Sequence, residues 1–211
     1  MSNPLDALIN GSMKEAREGV AHLSEEVDEE TFNHFFQFAY KGDYEVAGSK
    51  FTPPRALRLG AFHNEGIGEA KVVKLWKGFV DESTLSMRLL RSLSISDDAE
   101  RCWSEIFLAH ARVYVFADLY DITPLAKLSK KKLHQALVVF ELQKENVDEI
   151  TILVDYVCAN TRGDDKLREL LCRYCAYNVQ QLSPNDKFSE LLEEHGDFSS
   201  AIIKQLLQRI D

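Results

Sequence analysis

From about Ala99 to the C-terminus, apolar residues recur every three or four positions, which is the spacing of one face of an α-helix. The predicted helices also begin at suitable residues. Thr123 is placed to cap a helix whose first turn contains Pro124. Asn146 with Glu149 three residues later is typical of a capping box. The links between these helices are short, which favours antiparallel neighbours, so the sequence predicts a mostly α-helical protein.

The first forty residues predict two helices with a short strand between them. Residues 4–18 have the pattern of a short helix, and residues 19–23 that of a brief strand. Asp28 is placed to cap the second helix, and Gly42 is a suitable residue to end it. Aromatic and small residues recur along this helix at helical spacing: Phe32, Phe35, Phe36, Ala39 and Tyr40.

The stretch from Asp43 to about Asp98 breaks the regular pattern. A Pro53-Pro54 pair and a glycine cluster interrupt any long element. Between Lys50 and Arg91, eight basic residues stand against four acidic ones, which gives a local charge of +4. We therefore expect an insertion here, partly mobile. We expect its Trp76, like Trp103 after it, to be a packing anchor, with an exposed partner contact as the alternative for Trp76.

The charge of the whole chain argues against two classes of partner. Its 34 acidic residues exceed its 25 basic ones, so the formal net charge is -9. Such a surface repels phosphate backbones, and we expect neither nucleic acid nor a membrane as a partner. No stretch approaches the ~20 apolar residues that span a bilayer, and the first residues lack the apolar core of a secretory signal. The sequence therefore predicts an intracellular protein, in the nucleus or the cytoplasm.

The cysteines do not predict a disulfide framework, because four are few for a chain of this length. Cys172 and Cys175 form a CxxC, but they fall inside a strong helical pattern and suit core positions. A structural zinc site would need further ligands, and Cys158 and His195 are irregularly spaced for that role. We therefore predict no metal site and no cofactor.

Catalytic motifs are also missing from the sequence. The histidines form no metal-binding pair, and we expect each to be a surface or partly satisfied helix residue. They are His22, His34, His63, His110, His134 and His195. Lys130, Lys131 and Lys132 form a basic run that we expect to be a solvated helix face, with a phosphate or nuclear-import contact as the alternative. The sequence predicts no catalytic residues, and we expect that the protein is not an enzyme.

Two segments together resemble the BTB/POZ domain in its fungal form. The first is ETFNHFFQFAYKGDY, from Glu30 to Tyr44, with Lys41 where that family usually has threonine. The second is HARVYVFADLYDITPLAKLSKKKL, from His110 to Leu133, which is similar to a helix pair of the same family. We expect the aromatic face of the first segment to pack against a face of the second that consists of Val113, Phe116 and Ala117.

The resemblance implies an α+β fold with an unusual beginning. It predicts a BTB/POZ-like helical cluster over residues 1–140, with the insertion at about 43–98, and an antiparallel helical extension over 141–211. Residues for the family's opening hairpin, first helix and next strand do not precede Pro4. The strand at Val20 to Leu23 would then be a residual edge, and a truncated gene product or incomplete gene model is the expectation. Family dimers use the portion that is missing here.

The resemblance also implies the function and the partners. Met13-Lys14-Glu15 matches the hydrophobic-x-Glu pattern by which some BTB domains contact a cullin scaffold, so Met13 and Glu15 are the predicted partner-binding residues. The expected function is protein-protein interaction, as an adaptor or oligomerisation module, including substrate adaptor of a cullin-based ubiquitin ligase. Expected partners are another BTB chain or the cullin. The alternatives are a metal-binding or small enzymatic helical protein, or an inactive truncated remnant.

Overall fold

The computed structural model describes residues 27–47, 76–83 and 102–207. Within these ranges every regular element is a helix, which confirms the predicted mostly α character. The predicted helix at 4–18 and the strand at 19–23 lie outside the described residues. The principal helices are α1 (Glu29–Lys41), α2 (Trp103–Leu119), α3 (Thr123–Val139), α4 (Val147–Asn160), α5 (Lys166–Tyr177), α6 (Val179–Leu182), α7 (Asp186–Glu194) and α8 (Gly196–Leu207).

Helix α2 occupies the centre of the helical core. It contacts α1, α3 and α4, and buried residues occur on nearly all its sides. A helix that is apolar all round needs such a surrounded position. Helices α2 and α3 form an antiparallel pair, in which the start of α2 lies beside the end of α3. The ring of Phe140, directly after α3, lies 5.3 Å from that of Trp103 and 5.2 Å from that of Phe107 at the start of α2. The turn between the two helices includes Asp121, whose φ is 51°.

The second half of the chain extends the same core. Helix α4 packs against α2 and α7, and α5 packs against α8 and, more lightly, α3. Buried apolar side chains from Tyr44 to Ile202 form one hydrophobic cluster. The division into domains at residue 140 stays a prediction. None of the described helices combines the length and the apolar character needed to cross a membrane.

The described part of the predicted insertion belongs to the core. Residues 76–82 are helical, and Phe79 is fully buried. Trp76 packs against the rings of Phe79 and Tyr177, with centroids 5.4 and 5.9 Å away. The prediction that Trp76 is a packing anchor is therefore confirmed. At the other end of the predicted insertion, Tyr44 is buried as well. The bounds of the insertion stay a prediction.

Some of the predicted helix ends are correct and others are wrong. Asp28 caps α1 by accepting from the Thr31 N–H at 2.6 Å, as predicted. Thr123 is instead the first residue of α3, and no side-chain cap bond is formed there. The predicted capping box at Asn146 is also wrong: its Oδ1 accepts from the Gln143 N–H at 2.7 Å, because a 3₁₀ turn precedes α4. The carboxylate of Glu149 accepts from the Ser104 N–H, which ties α4 to the start of α2.

Candidate functional site

The turn after α1 carries a buried tyrosine that joins three helices. Gly42 ends α1 with a φ of 71°, and its N–H donates to the Phe38 carbonyl at 2.8 Å. This left-handed backbone turns the chain sharply, so that Tyr44 enters the core with 1% of its surface exposed. The Tyr44 hydroxyl lies 2.8 Å from Nδ1 of His110 in α2. Nζ of Lys132 in α3 donates to the Tyr44 carbonyl at 2.8 Å.

Burial fixes the protonation states around Tyr44. It lowers the pKa of His110 to about 3 and raises the pKa of Tyr44 well above its usual value. Burial opposes ionisation of Asp43 too, but hydrogen bonds from Lys132 and from the Tyr44 N–H lower its pKa overall. His110 and Tyr44 are closed to solvent and stay neutral at neutral pH. This cluster therefore anchors the chain after α1 and offers no general acid or base to a ligand.

The two faces of α1 have different surroundings. On the inner face, the ring of Phe35 lies 5.2 Å from that of Phe116 in α2. On the opposite side, Phe32, Phe36 and Tyr40 are 38%, 51% and 76% exposed. We call these three residues the outer face of α1. The expected contact between α1 and α2 is present, but the prediction that Phe32 and Phe36 are part of it is wrong, because Thr31 and His34 take the most buried positions of the helix.

A groove of about 290 Å³ lies between α3 and α5, beside the helical segment 76–82. We call it the basic groove. Most of its lining is charged and basic residues predominate: Glu82, Lys127, Lys130, Lys131, His134, Lys166, Glu169, Leu170 and Arg173. These side chains give a surface of positive charge on a chain whose formal charge is -9.

Most of the positive charge in the basic groove is uncompensated. Arg173 donates to the Glu82 carboxylate at 2.7 Å, so these two charges cancel. The four lysines form no ion pair with a described carboxylate. His134 is buried beneath them; burial lowers its pKa to about 4, and among the described residues its Nε2 has no hydrogen-bond partner. The groove therefore presents cations to solvent above a neutral imidazole.

A buried arginine connects α4, α5 and α8. Arg168 in α5 is 7% exposed, and its Nε donates to the Thr161 hydroxyl at 3.1 Å. Its Nη2 donates to the carbonyls of Cys158 and Thr161 at the end of α4. Its Nη1 donates to the Asp197 carboxylate in the first turn of α8. Because this guanidinium satisfies two main-chain carbonyls of α4, its role is structural.

The cysteines of the CxxC are core residues. Cys172 and Cys175 lie inside α5 and are buried, as is Cys158 in α4. Burial raises the pKa of the Cys158 thiol to about 11 and that of Cys172 to about 12. A thiol in this state is a poor nucleophile and a poor metal ligand, since both roles need the thiolate. The side chains therefore act as small apolar groups.

A different set of potential ligands meets at the surface between α4 and α7. Ligand atoms of Asp155, Glu194 and His195 all lie within 4.8 Å of one another. A histidine with two carboxylates suits a divalent transition metal. The two carboxylates are exposed, however, and Nε2 of His195 is 3.3 Å from Asp155 in an ordinary hydrogen bond. That bond accounts for the approach of His195 to Asp155.

The described residues test some of the predicted sites. Met13 and Glu15 lie outside them, so the cullin contact stays a prediction. The expectation that each histidine is a surface or partly satisfied helix residue holds for His34, His110 and His134. These three are buried helix residues, 4%, 1% and 7% exposed, and each has one ring nitrogen without a hydrogen-bond partner among the described residues. His22 and His63 also lie outside the described residues. The three buried rings pack against aromatic neighbours or sit in an apolar helix, and helical periodicity alone assigns no burial to a polar residue.

The lysine run on α3 has two different surroundings. Lys130 and Lys131 line the basic groove, whereas Lys132 extends toward Asp43 and Tyr44, with its Nζ 5.0 Å from the Tyr44 ring centroid. Successive helical residues are rotated by about 100°, so three consecutive lysines cannot share one surface. The prediction of a single solvated face is wrong in this respect. The signal available in the sequence was that Lys130, Lys131 and Lys132 directly precede Leu133, which is buried.

Two exposed surfaces among the described residues are the candidate functional sites. The outer face of α1 is apolar and exposed, the basic groove is cationic and exposed, and the Tyr44–His110 pair and the Arg168 side chain are buried. No family model, no curated protein and no solved structure matches this chain.

Proposed function

We propose that this chain is a non-enzymatic protein-interaction module of the BTB/POZ type, which acts as an adaptor or oligomerisation unit in the nucleus or the cytoplasm. Two segments that resemble that family are far apart in the sequence yet adjacent in space. Phe35 of the first contacts Phe116 of the second, and Asp28 beside the first pairs with Arg112 of the second at 3.4 Å. This adjacency supports the BTB/POZ-like helical cluster that the resemblance implies.

The outer face of α1 is the observation that carries the proposal. Its three aromatic side chains recur at every fourth residue, so they form one continuous row along the helix. The rings of Phe36 and Tyr40 contact each other with centroids 4.6 Å apart. Exposed apolar rows of this kind mark interaction sites, and aromatic residues are among the strongest contributors to binding at protein interfaces.

We assign a second copy of the chain as the partner of this face. A row of rings along one helix is self-complementary, since a two-fold axis brings the same row of two copies together in antiparallel order. Charged residues lie at the two ends of this helix, Glu29 and Glu30 in its first turn and Lys41 in its last, and they would form the rim.

Light scattering over a range of protein concentrations tests this assignment. The wild-type chain of 24.1 kDa is expected to approach twice that mass as its concentration rises. Phe36→Ala with Tyr40→Ala should keep the chain monomeric, since both side chains are exposed and their loss leaves the core intact. The matched control is Ile152→Ala with Ile203→Ala, which removes two exposed apolar side chains from α4 and α8. It should associate like the wild type.

The cullin-adaptor form of the proposal depends on Met13 and Glu15. A purified cullin N-terminal domain should be retained by the wild-type chain and not by Met13→Ala with Glu15→Ala. Binding with no effect of these substitutions would remove the two residues from the proposal. A wild-type chain that stays monomeric at every concentration and also fails to retain the cullin would overturn the proposed function as a whole.

A further inference from the structure

We propose that the basic groove binds an acidic segment of a partner protein, a run of aspartate or glutamate side chains in extended conformation. This surface shares no residue with the outer face of α1, so the inference goes beyond the proposed function and stands without it.

The groove has more positive charge than its own carboxylates can neutralise. Among the described residues, Glu82 is matched by Arg173, and Glu169 is the one further acid in the lining, against four lysines that form no ion pair with a described carboxylate. Nearby like charges repel one another, and an anionic ligand relieves that repulsion. Because the rest of the chain is strongly acidic, an acidic partner would be attracted to this surface and repelled elsewhere, which is the basis of electrostatic specificity.

The cations are spread along two helices and do not converge on one point. On α3 the lining runs from Lys127 to His134, and on α5 from Lys166 to Arg173. Each run covers seven residue steps, or about 10 Å along the helix axis. An extended peptide covers that length with about three residues. The distribution of charge therefore fits several carboxylates along a peptide better than a single compact anion.

The end of α5 gives a second reason to prefer a peptide over a phosphate group. Phosphate sites at helix N-termini use free main-chain N–H groups. At α5 the Leu167 N–H already donates to Asp165 Oδ1 at 2.6 Å, and that carboxylate places negative charge at the helix end. The lysine side chains of the lining remain as donors, and their ammonium groups suit separate carboxylates. Leu170 adds an apolar residue to the lining.

Fluorescence anisotropy with a labelled hexaglutamate peptide tests the proposal on the full-length chain. Binding is expected at low salt, with weakening as the ionic strength is raised to about 0.15 M. Lys127→Gln with Lys131→Gln should weaken binding about fivefold, which corresponds to the loss of two exposed charge pairs of about 0.5 kcal/mol each. Both lysines are exposed, so the fold should be retained, and circular dichroism checks this.

The matched control replaces two exposed lysines from elsewhere, Lys144→Gln with Lys204→Gln, and changes the net charge by the same amount. It should alter affinity by less than about twofold. Equal loss in both double variants would mean that only net charge matters, and would overturn the assigned site. Absence of hexaglutamate binding by the wild type would overturn it too.

A compact polyanion, inositol hexakisphosphate, distinguishes a phosphate ligand from an acidic peptide. If it binds more tightly than the peptide, and if Lys127→Gln with Lys131→Gln abolishes that binding, the ligand of the groove is a phosphate compound and not an acidic peptide.

Discussion

The hydroxyl of Tyr44 lies 2.8 Å from Nδ1 of His110, although 66 residues separate the two in the chain. Both side chains are 1% exposed. The contact fixes the turn after α1 against the central helix α2, and through Lys132 it also reaches α3. Because α1 carries the proposed interaction face, this buried pair determines how that face is presented.

Removing the hydroxyl should therefore destabilise the protein without changing the shape of its core. Tyr44→Phe leaves Nδ1 of His110 without its partner in a buried position, and we expect a loss of about 1–3 kcal/mol in the free energy of unfolding. Urea denaturation measures it. Tyr40→Phe is the control, because Tyr40 is 76% exposed and should shift stability by less than about 0.5 kcal/mol. Equal stability of the two variants would contradict the structural role of the pair.

Stability should fall as the pH drops below neutral, and His110 should cause part of that fall. Burial lowers the pKa of His110 to about 3 in the folded chain, whereas the unfolded chain binds the proton near pH 6.5. The unfolded state therefore holds more protons between these two values, and acid favours it. Between pH 7 and pH 5 the cost from His110 is about 2 kcal/mol.

The variant His110→Gln isolates this contribution. It keeps a hydrogen-bonding side chain but cannot titrate, so its own loss of stability between pH 7 and pH 5 should be about 2 kcal/mol smaller than that of the wild type. Urea denaturation at both pH values gives the difference. His34 and His134, whose pKa values burial also lowers, should leave a residual slope in the same direction. An unchanged slope would mean that His110 is protonated in the folded protein.

The hydrogen bonds of Arg168 should stabilise the folded state more than its single ion pair with Asp197 would do alone. Arg168→Met removes the donors of the Cys158 and Thr161 carbonyls, and we expect a loss of about 3 kcal/mol in unfolding free energy. Arg162→Met is the control at an exposed position of the preceding turn and should stay within about 0.5 kcal/mol of the wild type. A loss of similar size in both would contradict the assignment.

Thiol reactivity should separate the four cysteines into two groups. Cys102 is exposed and should react with Ellman's reagent at once, whereas the other three are buried. Burial raises the pKa values of the Cys158, Cys172 and Cys175 thiols, which suppresses the reactive thiolate. One thiol is therefore expected to react in the native state and the rest only on unfolding. Cys102→Ser should abolish the rapid phase, and a remaining fast thiol would show that the α4–α5 core opens readily.

Most of the described helices could be predicted from the amino-acid pattern alone. Their apolar spacing, the Asp28 cap and the Gly42 stop act within a few residues, so local pattern is sufficient to predict them. It also indicated that α1 and α2 pack together, since each has an apolar face to bury. It did not reveal which aromatic residues of α1 turn inward, because Phe32, Phe35 and Phe36 are equally apolar.

Tertiary structure decided everything that depends on contacts between distant segments. The burial of Tyr44 with His110, the orientation of Lys132 away from its two neighbours, and the meeting of α3 and α5 at the basic groove all join residues far apart in the chain. A buried polar side chain generally needs a hydrogen-bond partner, and for Tyr44 and His110 a distant segment supplies it. Helical periodicity describes one segment and does not predict which distant segment will contact it. The polar core and the charged groove are therefore properties of the folded chain.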